Sequence, residues 1–261
     1  MSFNYIEVEK SDRVTTITLN RPEVMNVIHS AMHEELQGAF DDFAADSEQF
    51  IGVVTGKGER AFCAGSDLKA IAASGKHAAY PKNGYAGLIE RFDLNKPLIA
   101  AVNGLCLGGG FEIALACDII LAADNASFGL PEPRVGAVAL GGGIHRLARQ
   151  IGLKRAMGYV LTSERITPET GFELGLVNEV VTATQLQSRT QRWCDEILTG
   201  APMAIRASKE SIMRGLDESS LASAINNQES YPAFAAWRHA DDTQEGPKAF
   251  AEKRPPVWKG R

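Results

Sequence analysis

The sequence predicts an α/β protein, and three observations carry that reading. Short β-rich runs alternate with helices of modest length over the first two-thirds of the chain, which is the pattern of an α/β core. Residues 98–102 (LIAAV) are apolar without interruption, as a strand buried on both faces must be. Residues 108–110 are three glycines that open an apolar run, a strand-to-helix turn whose backbone is left unshielded. A chain of 261 residues with 44% hydrophobic residues suits one large domain or a core with an appendage. The composition of residues 200–202 (GAP) reads as a hinge, dividing a core, 1–199, from a C-terminal helical region, 200–261.

The elements are justified in chain order. Residues 5–9 and 14–19 are β-rich runs separated by Ser11-Asp12-Arg13, hence a hairpin, and Arg21-Pro22 closes the second run. Residues 30–43 read as a helix, with Met32, Leu36, Phe40 and Phe43 on one face and Glu34, Glu35, Asp41 and Asp42 on others. Residues 51–55 return to strand. Residues 61–68 (AFCAGSDL) run from strand through glycine into a helix that Asp67 caps. Residues 73–87 have loop composition and suit a wall around a substrate.

Residues 98–102 and 119–122 are buried strands on either side of the glycine-led helix, 111–117. Helices are expected over 144–151 and 153–161, and the glycines before them, 141–143, read as helix-start turn chemistry. After Val181 the expectation is helical: 183–198, 202–216 and 221–237.

Two carboxylates stand out. Glu112 sits one turn into an apolar helix whose first amides lack intrahelical acceptors, and Phe111, Ile113, Ala114, Leu115 and Ala116 give it no polar face. Those amides suit an anion or a developing oxyanion. Glu132 lies between Pro131 and Pro133, where a stiff backbone aims its side chain. Two aimed carboxylates suit acid–base work.

Other chemistries fit less well. The glycines form no GxGxxG, and residues 55–61 (TGKGERA) lack the ending of a phosphate loop. His29 and His33 fall four apart without a third ligand and read as exposed helix positions, so no metal is expected. Ser66 lies in no nucleophile elbow and its side chain reads as a bystander. Four cysteines without a CxxC pair read as reduced packing residues. A net charge of −5 gives no reason to expect nucleic acid. Without an apolar leader or a spanning run, a soluble cytoplasmic protein is expected, with no membrane partner.

Taken together, residues 19–22 (LNRP), 61–68, 103–136, 175–181 (GLVNEVV) and 245–254 (EGPKAFAEKR) resemble the crotonase family, the enoyl-CoA hydratases and isomerases. The resemblance covers nearly the whole chain. It implies a spiral of ββα units with a C-terminal helical region, and a hydratase or dehydratase acting on the C2–C3 bond of an acyl-CoA thioester, 2-enoyl-CoA to 3-hydroxyacyl-CoA. It implies Glu112 and Glu132 as the catalytic pair and the amides of Ser66 and Gly109 as the oxyanion hole. Ala64, Ser66, Leu68, Lys69, Phe234 and Lys253 are the implied contacts of coenzyme A, which belongs to the substrate, so no separate cofactor is expected. Homotrimers or pairs of trimers, joined through the helical tail, are implied too. Residues 250–261 (FAEKRPPVWKGR) also resemble carnitinyl-CoA dehydratases, a specialised alternative. A crotonase-fold protein whose main role is binding, such as an RNA-binding relative with residual activity, is the alternative from another class.

Overall fold

The computed structural model describes residues 3–75 and 79–261; residues 76–78 of the expected loop lie outside the described residues. The hairpin forms as expected, β1 (Ile6–Ser11) against β2 (Val14–Leu19), with Asp12 and Arg13 at positive φ in the turn. α1 (Ser30–Ala45) comes next, capped by His29, whose Nδ1 accepts the Met32 amide. Then the chain repeats one path three times. β3 (Ile51–Gly56), β4 (Ala61–Cys63) and α2 (Leu68–Ser74) form the first ββα unit. β5 (Leu98–Val102), β6 (Leu105–Leu107) and α3 (Gly109–Ala116) form the second, and β7 (Ile119–Ala123) with β8 (Ser127–Gly129) begin a third.

The leading strand of each unit joins one sheet and the second joins another. The larger sheet has the order β1-β2-β3-β5-β7-β9 and the smaller β4-β6-β8. Only the hairpin is antiparallel. Each crossing between sheets leaves backbone groups to satisfy, and buried side-chain amides supply the partners. Asn103 accepts the Gly56 amide and donates to the carbonyls of Gly56 and Gly58; Asn26 donates to those of Lys57 and Ala61. Between the sheets lies the main core, with Phe40, Phe43, Phe62, Phe111 and Phe128 all inside.

α4 (Gly143–Ile151), α5 (Leu153–Thr162) and α6 (Pro168–Glu173) lead to β9 (Glu179–Val181), and α7 (Leu186–Leu198) covers the outer face of the large sheet through Leu186 and Cys194. The tail comprises α8 (Pro202–Gly215), α9 (Leu221–Asn227), α10 (Pro232–Arg238) and α11 (Asp242–Glu252). The helix expected over 221–237 is therefore two, because Pro232 cannot donate and Tyr231 before it is extended. α11 was not among the expected helices and carries Gly246 and Pro247 inside it, so local propensity does not account for it. Its start is held instead by tertiary ties: Arg254 and the Val257 amide bind the Glu245 carboxylate, and Trp258 packs on Gly246. α8 is anchored to the core by Lys209, which donates to the Lys96 carbonyl and pairs with Asp118. The four cysteines are free and buried.

Candidate active site

The three strands of the small sheet end side by side, since Cys63 is paired with Cys106 and Cys106 with Phe128. Three residues beyond these stand Ser66, Gly109 and Pro131. The segments that leave the three strands thus gather at one edge, with neighbours about 4.8 Å apart. Gly65, at φ 97°, turns the chain out of β4, and a Cβ on it would lie 3.3 Å from the Gly109 nitrogen. Gly109 opens α3, and among the described residues neither its N–H nor that of Ser66 has an acceptor.

The three glycines serve three purposes. Gly108 has φ 54° and ψ −128°, a conformation that only glycine adopts without strain. A Cβ on Gly109 would overlap the ring of Tyr85, and one on Gly110 the carbonyl of Cys63. The N-terminus of α3 is therefore bare because its neighbours sit on its backbone.

Glu112 is 3% exposed. Its Oε1 accepts the Gly143 amide at 2.9 Å, and the Gly141 amide faces the carboxylate as well. A Cβ on Gly143 would lie 2.9 Å from the Glu112 Cγ, and one on Gly141 would overlap Oε2. The glycine run expected to be turn chemistry is thus the cradle of this carboxylate. Burial pushes the Glu112 carboxyl up to about 7, with the charge of Glu132 acting the same way and the two amides and Arg146 opposing.

Glu132 opens the short 3-10 turn Glu132–Val135 after β8. Its Oε1 reaches the far side of the same helix start: a Cβ on Gly108 would lie 2.8 Å from it. Its Oε2 is buried, with no hydrogen-bond partner among the described residues, and burial raises this carboxyl too. The two carboxyls flank the first turn of α3, which carries the free Gly109 amide.

Of the other expected residues, Ala64 is held by its amide on the Met25 carbonyl, and Leu68 (55% exposed) and Lys69 stand open at the start of α2. Asp67 caps that helix through the Ala70 amide, braced by Arg21. Phe234 packs edge-on against Trp237 in α10, and Lys253 ends α11. Among the described residues no hydrogen bond or ion pair joins these two to 64–69. The Ser66 Oγ donates to the Tyr85 hydroxyl at 3.3 Å. Two expectations are corrected. His33 is 2% exposed, not an open helix position, because the turn Tyr85–Gly87 folds over it. Residues 73–87, expected as a loop, instead begin in the last turn of α2 and end in this buried 3-10 turn; Asn83-Gly84 marked its bend but not its depth.

The sequence profile of the enoyl-CoA hydratase/isomerase family matches residues 9–261. The chain belongs to that family. Family membership makes it an enzyme, and it accounts for the ββα spiral. Among similar proteins, the carnitinyl-CoA dehydratase of Proteus mirabilis (strain HI4320) is 42% identical over 254 residues, 95% of each chain. That of Salmonella agona (strain SL483) is 41% identical over 262 residues, 98% of each. Among solved structures, enoyl-CoA hydratase from Mycobacterium tuberculosis H37Rv superposes with a TM-score of 0.91 at 36% identity, covering 98% of this chain and 99% of that one. Enoyl-CoA hydratase EchA1 from Mycobacterium marinum gives 0.91 at 38% identity, with the same coverage. No helix among the described residues is long and apolar enough to cross a membrane.

Proposed function

We propose that the protein adds water across, or removes it from, the C2–C3 bond of an acyl-CoA thioester. The observation that carries this reading is the convergence of two raised carboxyls and two unpaired amides on the first turn of α3. In the hydration direction the Ser66 and Gly109 amides hold the thioester oxygen as it gains enolate charge. The ionised carboxyl of the Glu112–Glu132 pair takes a proton from water as its oxygen bonds to C3, and the protonated one delivers a proton to C2. The two carboxyls have then exchanged states, and a proton passing between them or through solvent resets the pair. Sharing one proton is natural for two close acids, and the resulting pKa values belong to the pair.

Ala64, Leu68 and Lys69 lie beside the Ser66 amide and suit the coenzyme A arm. Lys253 would meet its phosphates and Phe234 its adenine, supplied by a neighbouring subunit. That assembly is a trimer or a pair of trimers joined through the helical tail. The apolar residues Ile212, Met213, Leu216, Leu221 and Ile225, exposed on α8 and α9, support it. Light scattering on the micromolar protein tests it, and a monomer would rule it out.

The level of identity to carnitinyl-CoA dehydratases favours one narrower reading, a specialised dehydratase for a polar or branched acyl group. Loss of enoyl-thioester absorbance across crotonyl-CoA, branched, aromatic and carnitinyl-type substrates separates the two. Turnover of crotonyl-CoA at rates matching the best substrate supports the general hydratase. Turnover confined to polar acyl groups supports the specialised one. No turnover of any, with salt-dependent retention on RNA, would replace both by a binding protein.

A further inference from the structure

The two unpaired amides belong to different turns of the spiral, and Tyr85 touches both segments. It comes from neither strand. Its ring lies on the Cα of Gly109, leaving no space for a Cβ there, and its hydroxyl meets the Ser66 Oγ at 3.3 Å. The residue is 1% exposed, and burial keeps its hydroxyl protonated far into the alkaline range.

Helix α1 holds Tyr85 in place through the turn that carries it. His33 Nδ1 accepts the Ala86 amide at 3.0 Å, and Gln37 binds both the amide of Asn83, at 3.0 Å, and its side chain, at 2.8 Å. Gly87 sits directly on the Gln37 backbone. Ala86 is held at φ 57°, a left-handed conformation that is unfavourable for a non-glycine residue and persists only where its surroundings impose it. His33 is suited to impose it: burial holds its imidazole down to about 4, so near neutral pH the ring is uncharged and Nδ1 can accept. The same ring packs edge-on against Tyr85 at 4.6 Å.

Donors for a developing oxyanion act only if held within about 0.5 Å of the productive geometry. The strand ends alone do not supply that, because Gly65 and Gly108 place the softest residues of the chain beside the two donors. We propose that Tyr85 is a positioning residue that fixes the spacing and angle of the Ser66 and Gly109 amides, with His33 as its support from α1. This rests on the reading of those amides as donors to the thioester oxygen. Tyr85 itself touches no substrate in this role.

The test uses the whole protein and the probe 2,4-hexadienoyl-CoA, whose ultraviolet absorbance moves to the red when its carbonyl is polarised. Wild type is expected to produce the red shift on binding. Tyr85→Phe keeps the ring on Gly109 but loses the contact with the Ser66 Oγ, and is expected to give a partial red shift and a kcat lowered about 3- to 10-fold, between wild type and Tyr85→Leu. Tyr85→Leu removes the contact with Gly109, and displacing a donor by about 1 Å costs on the order of 100-fold; the shift is expected to shrink and kcat to fall about 10- to 100-fold, with KM within about threefold. His33→Leu, which unties the turn, should move the same way, whereas His33→Asn keeps an acceptor oxygen in the place of Nδ1 and should restore most of the signal. A full red shift and unchanged kcat in Tyr85→Leu overturns the role of Tyr85 alone; if that chain does not fold, the same result in His33→Leu does so. A parallel rise of KM with an intact shift also overturns it. Wild type that binds the probe without any shift overturns the amide pair, and this inference with it.

Discussion

The two glutamates flank the same helix start and Glu112 feels the charge of Glu132, yet their settings are opposite. Glu112 is enclosed by backbone, with one oxygen on the Gly143 amide and the other against Gly141. Glu132 rides on a proline-flanked turn, with one oxygen against Gly108 and the other unpartnered. A carboxyl held by fixed amides keeps its position whatever its charge. One with an idle oxygen has a lone pair ready for a water or a C–H. The difference teaches that similar pKa pressures can come from different constructions: both are raised by burial, opposed at Glu112 by two amides brought in from the start of α4 and at Glu132 by its own backbone N–H.

Replacing each acid by its amide should have the largest effect. Glu112→Gln and Glu132→Gln are each expected to lose about 100- to 10,000-fold in kcat while CoA-ester binding holds, because the amide keeps the shape but not the proton. Their stabilities should differ. Glu132→Gln can keep its oxygen toward its own backbone N–H and turn its NH₂ to the place of Oε2, and should be close to neutral in denaturant unfolding, whereas Glu112→Gln must set an NH₂ against one of two backbone N–H groups. Near-wild-type turnover in either variant would remove that residue from the chemistry.

A smaller effect is expected from the cradle. Gly141 does not have positive φ, so Gly141→Ala acts only by crowding Oε2. It should lower kcat by roughly 10- to 100-fold with KM little changed, the range expected for a group displaced by about 1 Å. Gly136→Ala, where a Cβ meets nothing within 4 Å but the backbone has φ 72°, is the comparison on the Glu132 turn: its cost should fall on stability, with kcat within about threefold. Equal losses in the two would erase the distinction between the carboxyls.

The gentlest test is pH. The Glu112 carboxyl rises from its ordinary 4.5 to about 7 on folding, so between those values the folded protein holds a proton that the unfolded chain has released. This contribution is present in full below about pH 4.5 and is lost as pH rises through about 7. It amounts to something on the order of 3 kcal/mol. Denaturant midpoints should therefore fall over that window in wild type, and the part of the slope due to Glu112 should vanish in Glu112→Gln. An unchanged slope would contradict the burial of that charge.

How far the sequence spoke depends on the range of the interactions. Residues 98–102 were legible to the residue because a strand buried on both faces leaves a continuous apolar run, and Asp67 as a cap because its partner is three residues away. Glu112 was legible because its own helix offered no polar face. Gly141 and Gly143 were not, because what they hold lies 31 residues back from Gly143, brought there by the packing of α4 on α3. His33 looked like an exposed helix residue since nothing in its own helix shows that the turn at Tyr85 covers it. In the tail Pro232 breaks a helix while Pro247 sits inside one, and the ties from Arg254 and Trp258 that hold α11 come from residues outside that helix.

The repeated path of the chain has a consequence for how this site can change. Its parts are like three teeth of one comb: the backs are fused into the small sheet, while each tip is a separate segment after Cys63, Leu107 or Gly129. Lengthening or recutting one tip alters one contribution, an amide, a helix start or an acid, and leaves the spacing of the other two set by strand pairing. The same scaffold can thus exchange one reagent at a time, and the tip most open to exchange is the Glu132 turn, whose carboxyl is the less tightly held of the two.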